Sequence, residues 1–182
     1  MTLTELQIIA AIKKLRTERR INLLPSLFPR QLECIGHESK KKAALCTRRA
    51  GKSYGAGSLM FQVASEHPGA VIPYIALTRG SAKNIMWPVL TKIIARQKID
   101  CRLKESDLEI VMANGATIRL LGADQENFID RLRGGAYPLA VIDEAQAFRE
   151  HLKTLIDDVL EPAMLDYDGV ILMLGTPGPV GV

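Results

Sequence analysis

Several features that would assign this chain to a class early are missing from it. No run of about 18 apolar residues occurs, so the sequence offers no membrane span. Met1-Thr2-Leu3-Thr4-Glu5 lacks the pattern of a secretory leader. Cys34, Cys46 and Cys101 stand at no metal-ligand spacing and are odd in number, which argues against a zinc site or a disulfide framework. An intracellular, reduced protein is the expectation. There is no internal repeat and no low-complexity segment. Aromatic residues do not interleave with the basic ones, so base stacking and sequence-specific readout of nucleic acid have no support.

What is present suits one soluble α/β domain. The chain has 182 residues, 47% hydrophobic and 24% charged, enough to bury a sizeable core. The net charge of +4 mildly favours a polyanionic partner. Basic residues are grouped at Lys13, Lys14, Arg16, Arg19 and Arg20, at Lys40 to Lys42, and at Arg48 and Arg49. A solvated helix face explains the first group as well as DNA does. Any contact of these groups with nucleic acid would be to phosphates, non-specific and salt-sensitive.

Cys46-Thr47-Arg48-Arg49-Ala50-Gly51-Lys52-Ser53 has the form of a phosphate-binding loop with one departure: Cys46 stands where the pattern G-x-x-x-x-G-K-[ST] has its first glycine. Such a loop turns backbone N–H groups onto phosphates at a helix N-terminus. Lys52 would reach the β- and γ-phosphates, and Ser53 would give its hydroxyl to Mg²⁺. An ordinary loop-to-helix junction would read the same in isolation. The context favours the loop, because Ala43-Ala44-Leu45-Cys46 is a short apolar run fit for a buried strand and Lys52 to Glu66 a plausible helix.

Tyr137-Pro138-Leu139-Ala140-Val141-Ile142-Asp143-Glu144-Ala145 predicts a strand buried on both faces and ending in two carboxylates. In open α/β sheets ligands bind at that edge. Asp143 is placed to hold Mg²⁺ through water, and Glu144 to polarise an attacking water. A helix N-cap would account for one of these acids but less well for both. Gly169 to Leu174 is a further buried strand, and Thr176 follows it before Pro177. Thr176 is either a sensor of the γ-phosphate or a turn residue.

Together R-R-A-G-K-S, L-A-V-I-D-E-A and L-G-T-P resemble the ATPase domain of a tailed-phage terminase large subunit, the motor that packages viral DNA. The resemblance covers about residues 28 to 178. Its more specific part is the deviant loop with Arg48 three residues before the glycine; a strand ending in Asp-Glu is shared with helicases and other motors. The resemblance implies ATP and Mg²⁺ as cofactors. It implies a nucleotide contact along Arg48, Arg49, Ala50, Gly51, Lys52, Ser53 and Tyr54, and catalytic roles for Glu144, Arg48, Arg133 and Thr176. Gln31, in Phe28-Pro29-Arg30-Gln31, matches the glutamine that contacts adenine, although a solvated helix position fits it equally. Arg133, with Arg131 as second choice, matches the arginine offered to a neighbouring subunit, although it also fits a surface arginine. The implied partners are non-specific double-stranded DNA, the terminase small subunit and the portal protein. The implied setting is the host cytoplasm, docked transiently on a procapsid, in a homo-oligomeric ring, with this chain monomeric if truncated.

The expected fold is α/β: a P-loop NTPase of the additional-strand, catalytic-glutamate type, with a mostly parallel central sheet flanked by helices and a β-hairpin through Asn114-Gly115. In that class the Thr176 strand lies between the loop strand and the Asp-Glu strand. Helices are expected over Thr4 to Arg20, Arg30 to His37, Lys52 to Glu66, Ser81 (as N-cap) to Lys98, Asn127 to Leu132 and Phe148 to Met164. Residues 1–27 are expected to be a helical extension and 28–182 the ATPase domain. The nuclease and lid that follow in terminases have no room before Val182, so a truncated or split protein is expected. A helicase-like DNA-dependent ATPase, an ATP-binding assembly switch with little turnover and a small-molecule phosphotransferase are the competing readings.

Overall fold

The computed structural model describes residues 21–124, 128–149 and 151–177. The helix expected over Thr4 to Arg20 lies outside them. Helix α1 (Pro29–Gly36) starts with proline at its first position, where a missing N–H costs nothing. Strand β1 (Lys41–Leu45) leads into the loop, and helix α2 (Lys52–Glu66) leaves it. Strand β2 (Val71–Ala76), helix α3 (Arg79–Gln97) and strand β3 (Cys101–Lys104) follow. Strands β4 (Glu109–Met112) and β5 (Thr117–Gly122) form the hairpin, and helix α4 (Phe128–Leu132) precedes strand β6 (Leu139–Ile142). A helical stretch then leads to strand β7 (Val170–Gly175).

The seven strands form one sheet in the order β1-β7-β6-β2-β5-β4-β3. β1, β7, β6, β2 and β5 run parallel, and the last two strands are antiparallel. Parallel strands need covering on both faces. On one face Met60, Phe61, Met86, Leu90 and Ile93 of α2 and α3 pack on Ile72, Tyr74, Leu120, Val141 and Leu172. On the other, Leu132, Phe148, Leu155, Val159 and Leu160 pack on Ile75, Leu121, Ala140, Ile142 and Ile171. All four residues of β6 are buried, which is why its sequence is an unbroken apolar run.

The hairpin turns at Asn114-Gly115 as expected. Gly115 has φ of +86°, a conformation that favours glycine. The Asn114 amide donates to Ala64 O at 2.8 Å and so ties the turn to the end of α2.

Three expectations need correction. The cap of α3 is Thr78, not Ser81: the Thr78 hydroxyl accepts from the Ser81 N–H at 3.0 Å, and Ser81 sits inside the first turn. Strand β3 was not expected, since Cys-Arg-Leu-Lys carries little apolar pattern; pairing with β4 makes it a strand. The helix expected over Phe148 to Met164 is in pieces. A 3-10 turn covers Ala145–Phe148, and Arg149 (φ 49°, ψ −128°) swings the chain out of helical geometry. After it come α5 (His151–Thr154), a π-helical stretch (Leu155–Leu160) and α6 (Glu161–Met164).

Phe61 is fully buried at the contact of α2 with the sheet. Phe61→Ala is expected to cost about 3–5 kcal/mol, read as a lower midpoint in a urea titration with little change in slope.

Candidate functional site

The parallel register assembles the site. Leu45 pairs with Gly175, and Ile142 pairs with Met173. One residue beyond Ile142, Asp143 is therefore level with Leu174, and Glu144 is level with Gly175. Because β7 lies between β1 and β6, Cys46, Asp143, Glu144 and Thr176 all emerge at the same edge of the sheet.

The loop from Cys46 to Gly51 closes between β1 and α2. Arg49 (φ 64°) and Gly51 (φ 81°) are both left-handed. Alternation of this kind turns backbone N–H groups inward, a concavity suited to anions. Gly51 is the N-cap of α2, no side chain caps it, and the first turn holds no acid. The positive end of a 15-residue helix is thus left to a ligand. A side chain at position 51 would be strained by the left-handed backbone and would displace the Gln31 amide, since a Cβ there would lie 2.6 Å from Gln31 Nε2.

Lys52 is the hub. Its ammonium donates to Cys46 O at 2.8 Å, to Thr47 O at 3.3 Å and to Thr176 Oγ1 at 3.1 Å. Three donors meet three oxygens, so the lysine is fully engaged before any phosphate arrives. Thr176 passes the connection on, donating its hydroxyl to Glu144 Oε1 at 3.0 Å. Gln146 Nε2 donates to Glu144 Oε2 at 2.5 Å. Burial opposes the charge on Glu144, but the bonds from Gln146 and Thr176, with Lys52 nearby, win and hold its pKa below the ordinary glutamate value. Glu144 is therefore a carboxylate at neutral pH. Its backbone is left-handed (φ 47°, ψ 47°), an uncommon conformation for glutamate.

Asp143 is the one buried charged residue among those described, 5% exposed. The Tyr74 phenol donates to its Oδ2 at 2.5 Å. Burial raises its pKa; the Tyr74 bond works against this, Glu144 adds to it and Lys52 offsets part. A buried carboxylate with this little compensation suits a divalent cation. Among the described residues no three His, Cys, Asp or Glu side chains gather as a metal cage. Mg²⁺ needs no such cage, since it takes one or two protein oxygens plus phosphates and water. Ser53, in the first turn of α2, and Asp143 are the candidate ligands.

Gln31 does not project freely into solvent. Its side-chain oxygen accepts from Phe28 N–H at 2.8 Å, and its amide donates to Gly51 O at 2.8 Å. It lies beside a cavity of about 450 Å³ walled by Phe28, Cys34, Ile35, Leu172 and Leu174 and reaching Ala50 and Lys52. The mostly apolar walls and the single polar edge suit a planar base. Tyr54 is half-buried, and its hydroxyl is without a hydrogen-bond partner among the described residues. Arg48 and Arg49 are exposed on the loop. Arg133, just past α4, pairs with Asp130 at 3.7 Å on the exposed surface. The hydrogen bonds that link the cluster run through Lys52, Thr176, Glu144 and Gln146, and do not include Arg48, Arg49 or Arg133.

Sequence reasoning missed Tyr74 and Gln146. Tyr74 sits in an apolar strand and looks like core. Gln146 is one exposed glutamine two places after Glu144, and only that spacing marks it.

Comparison with known proteins bears on the fold. No protein-family model matches the sequence, and no curated protein does. The ATPase domain of the large terminase of Thermus phage P74-26 superposes with a TM-score of 0.64 at 23% identity, covering 87% of this chain and 68% of that one. The fold is that of a terminase ATPase domain. The HK97 bacteriophage large terminase matches with a TM-score of 0.65 at 18% identity, over 82% of this chain and 33% of that one. A large terminase from a thermophilic bacteriophage, in complex with ADP, matches with a TM-score of 0.63 at 13% identity, over 84% of this chain and 39% of that one. The chain thus spans a third to two-fifths of the complete terminases. The expected strand order of a P-loop NTPase, with the Thr176 strand between the loop strand and the Asp-Glu strand, is present. Among the described residues no helix is long and apolar enough to cross a membrane.

The Asp143 shift has a stability consequence. Unfolded, the carboxyl loses its proton near the ordinary aspartate value; folded, only above it. Between those values the folded chain holds more protons, so stability falls as pH rises through that window. At neutral pH the ionised group is a net cost to the ligand-free protein. Asp143→Asn should therefore melt higher than the wild type at neutral pH without nucleotide. The gap should close as pH falls to the ordinary aspartate range, as followed by thermal denaturation.

Proposed function

We propose that this chain is the ATP-hydrolysing motor domain of a viral DNA-packaging terminase, coupling hydrolysis to translocation of double-stranded DNA into a procapsid. The observation that carries this reading is the hydrogen-bonded line Lys52–Thr176–Glu144 at the edge of the sheet, with buried Asp143 beside it. It joins a phosphate-binding lysine to a charged carboxylate through a hydroxyl placed to respond to the γ-phosphate.

In this reading the adenine enters the cavity beside Gln31, and the phosphates seat on the N-terminus of α2. Loop residues Arg48, Arg49, Ala50, Gly51 and Ser53, with Tyr54, border the nucleotide. Lys52 exchanges its loop carbonyls for phosphate oxygens, a trade of neutral acceptors for charged ones. Ser53 and Asp143 would hold Mg²⁺, which would supply positive charge against the phosphates. Glu144 accepts a proton from the attacking water, which its ionised state allows. Thr176, released by Lys52, reports the γ-phosphate. Arg48 within the chain, or Arg133 offered to a neighbour in a ring, supplies the remaining positive charge.

Residues 28–182 form the ATPase domain in this account, and residues 1–27 an extension. Double-stranded DNA bound without sequence preference, the terminase small subunit and the portal protein are the partners. The setting is the host cytoplasm at a procapsid. One observation favours a second reading, an ATP-binding assembly switch with little turnover: Lys52 is already satisfied by the chain's own oxygens.

Two substitutions test the assignment. Lys52→Ala should weaken a Mg·ATP analogue roughly ten- to a hundredfold in calorimetric titration, one charge-assisted contact being worth about 1.5–3 kcal/mol. Glu144→Gln should bind ATP normally and lose turnover by about a hundredfold or more. Equal affinity in the first variant removes the phosphate-loop role. Equal turnover in the second removes Glu144 from the chemistry and favours the switch. A wild-type rate that rises with double-stranded DNA supports the motor.

A further inference from the structure

The backbone of Glu144 is tied at its carbonyl, which accepts from Ala147 N–H at 2.8 Å, but this does not set the direction of its side chain. It lies between the end of β6 and a four-residue 3-10 turn, in left-handed geometry, and its side chain makes no capping bond. Two side-chain donors hold its carboxylate, Thr176 on Oε1 and Gln146 on Oε2, and the Thr176 backbone N–H also favours its charge. Thr176 is shared with Lys52 and belongs to the nucleotide-responsive line. When phosphates draw Lys52 away, the Thr176 hydroxyl is free to turn with it. Gln146 has no such second duty. Its amide folds back on the residue two places before it and leaves Oε2 a further lone pair for water.

The seat of Gln146 depends on a glycine. A Cβ at Gly175 would lie 2.9 Å from Gln146 Oε1 and 3.1 Å from Leu45 Cδ1, and Gly175 does not have positive φ. A side chain at this position would have to displace the ends of the Gln146 and Leu45 side chains, so the contact bears on where the Gln146 amide sits.

We propose that Gln146 is a positioning residue for the reaction. It anchors the Glu144 carboxylate in line with the attacking water once Thr176 has turned to the nucleotide, and Gly175 keeps its seat open. This rests on the reading above, in which Glu144 polarises that water. Gln146 itself touches no reacting atom.

The test uses the full chain. ATP turnover is measured with and without double-stranded DNA, and affinity for a Mg·ATP analogue by titration. The variants are Gln146→Leu, Gly175→Ala, Glu144→Gln, and Gln146→Leu with Glu144→Gln. Gln146→Leu keeps the bulk and removes the donor. It should lower kcat about ten- to a hundredfold, the scale of a displaced catalytic group, and leave KM and analogue affinity within about twofold. Gly175→Ala, which touches neither Glu144 nor Lys52, should lower kcat in the same way but less. In the Glu144→Gln background, Gln146→Leu should change the residual single-turnover rate no further. An unchanged kcat in Gln146→Leu overturns the proposal, and so does a raised one, which would make Gln146 a latch. An equal loss of rate and affinity, or an additive loss in the double variant, also overturns it, since a merely structural role gives those. Equal rates in the wild type and Glu144→Gln would instead bring down the hydrolysis reading itself. That outcome is read from a different pair of proteins.

Discussion

The insertion of β7 between β1 and β6 is the constraint on which the site depends. Its ladder sets Leu45 level with Gly175 and Ile142 level with Met173. A slip of one residue on either side would send Cys46 or Glu144 to the wrong height and turn alternate side chains to the opposite face. The two faces hold the register, since both are packed with large apolar side chains. Core packing and the backbone geometry of the site are therefore one arrangement.

Within that frame the two acids are driven apart electrostatically. Asp143 is buried, and burial outweighs the Tyr74 bond, so its proton is held more tightly than usual. Glu144 is more open, and its donors outweigh the burial, so its proton is held less tightly. Neighbouring carboxylates with opposed environments are suited to different tasks. The buried one fits a cation, whose charge would supply what the fold withholds. The open one stays ionised and can reach water. Lys52 lies between these roles, resting on the loop carbonyls and Thr176, and a phosphate can compete for it without first opening the core.

Much of this was legible in the chain, for identifiable reasons. Strands β6 and β7 are buried in a parallel sheet, so they stand out as apolar runs, each ending at a polar residue of the site. The run Ala43-Ala44-Leu45-Cys46 suggested a buried strand as well, but β1 is the edge strand, has no buried residue and leaves Leu45 exposed. Gly51-Lys52-Ser53 marks the start of α2 to the residue. What failed depends on tertiary context. Glu144 and Arg149 adopt positive φ, and no local pattern announces that, so the run to Met164 looked like one helix. Strand β3 exists because β4 offers it an edge. Tyr74 acquires its partner from a strand 69 residues away in sequence. Gln31 has one cap-like partner three residues away and another across 20 residues, and only the first follows from helix rules.

The claim that this edge of the sheet is a nucleotide site is tested most directly by a crystal structure of the chain with Mg²⁺ and a slowly hydrolysed ATP analogue. The account predicts phosphates on the N-terminus of α2, the base in the cavity beside Gln31, and the Lys52 ammonium moved from Cys46 O and Thr47 O to phosphate oxygen. A nucleotide bound elsewhere, with Lys52 still on its loop carbonyls and Thr176, would contradict it.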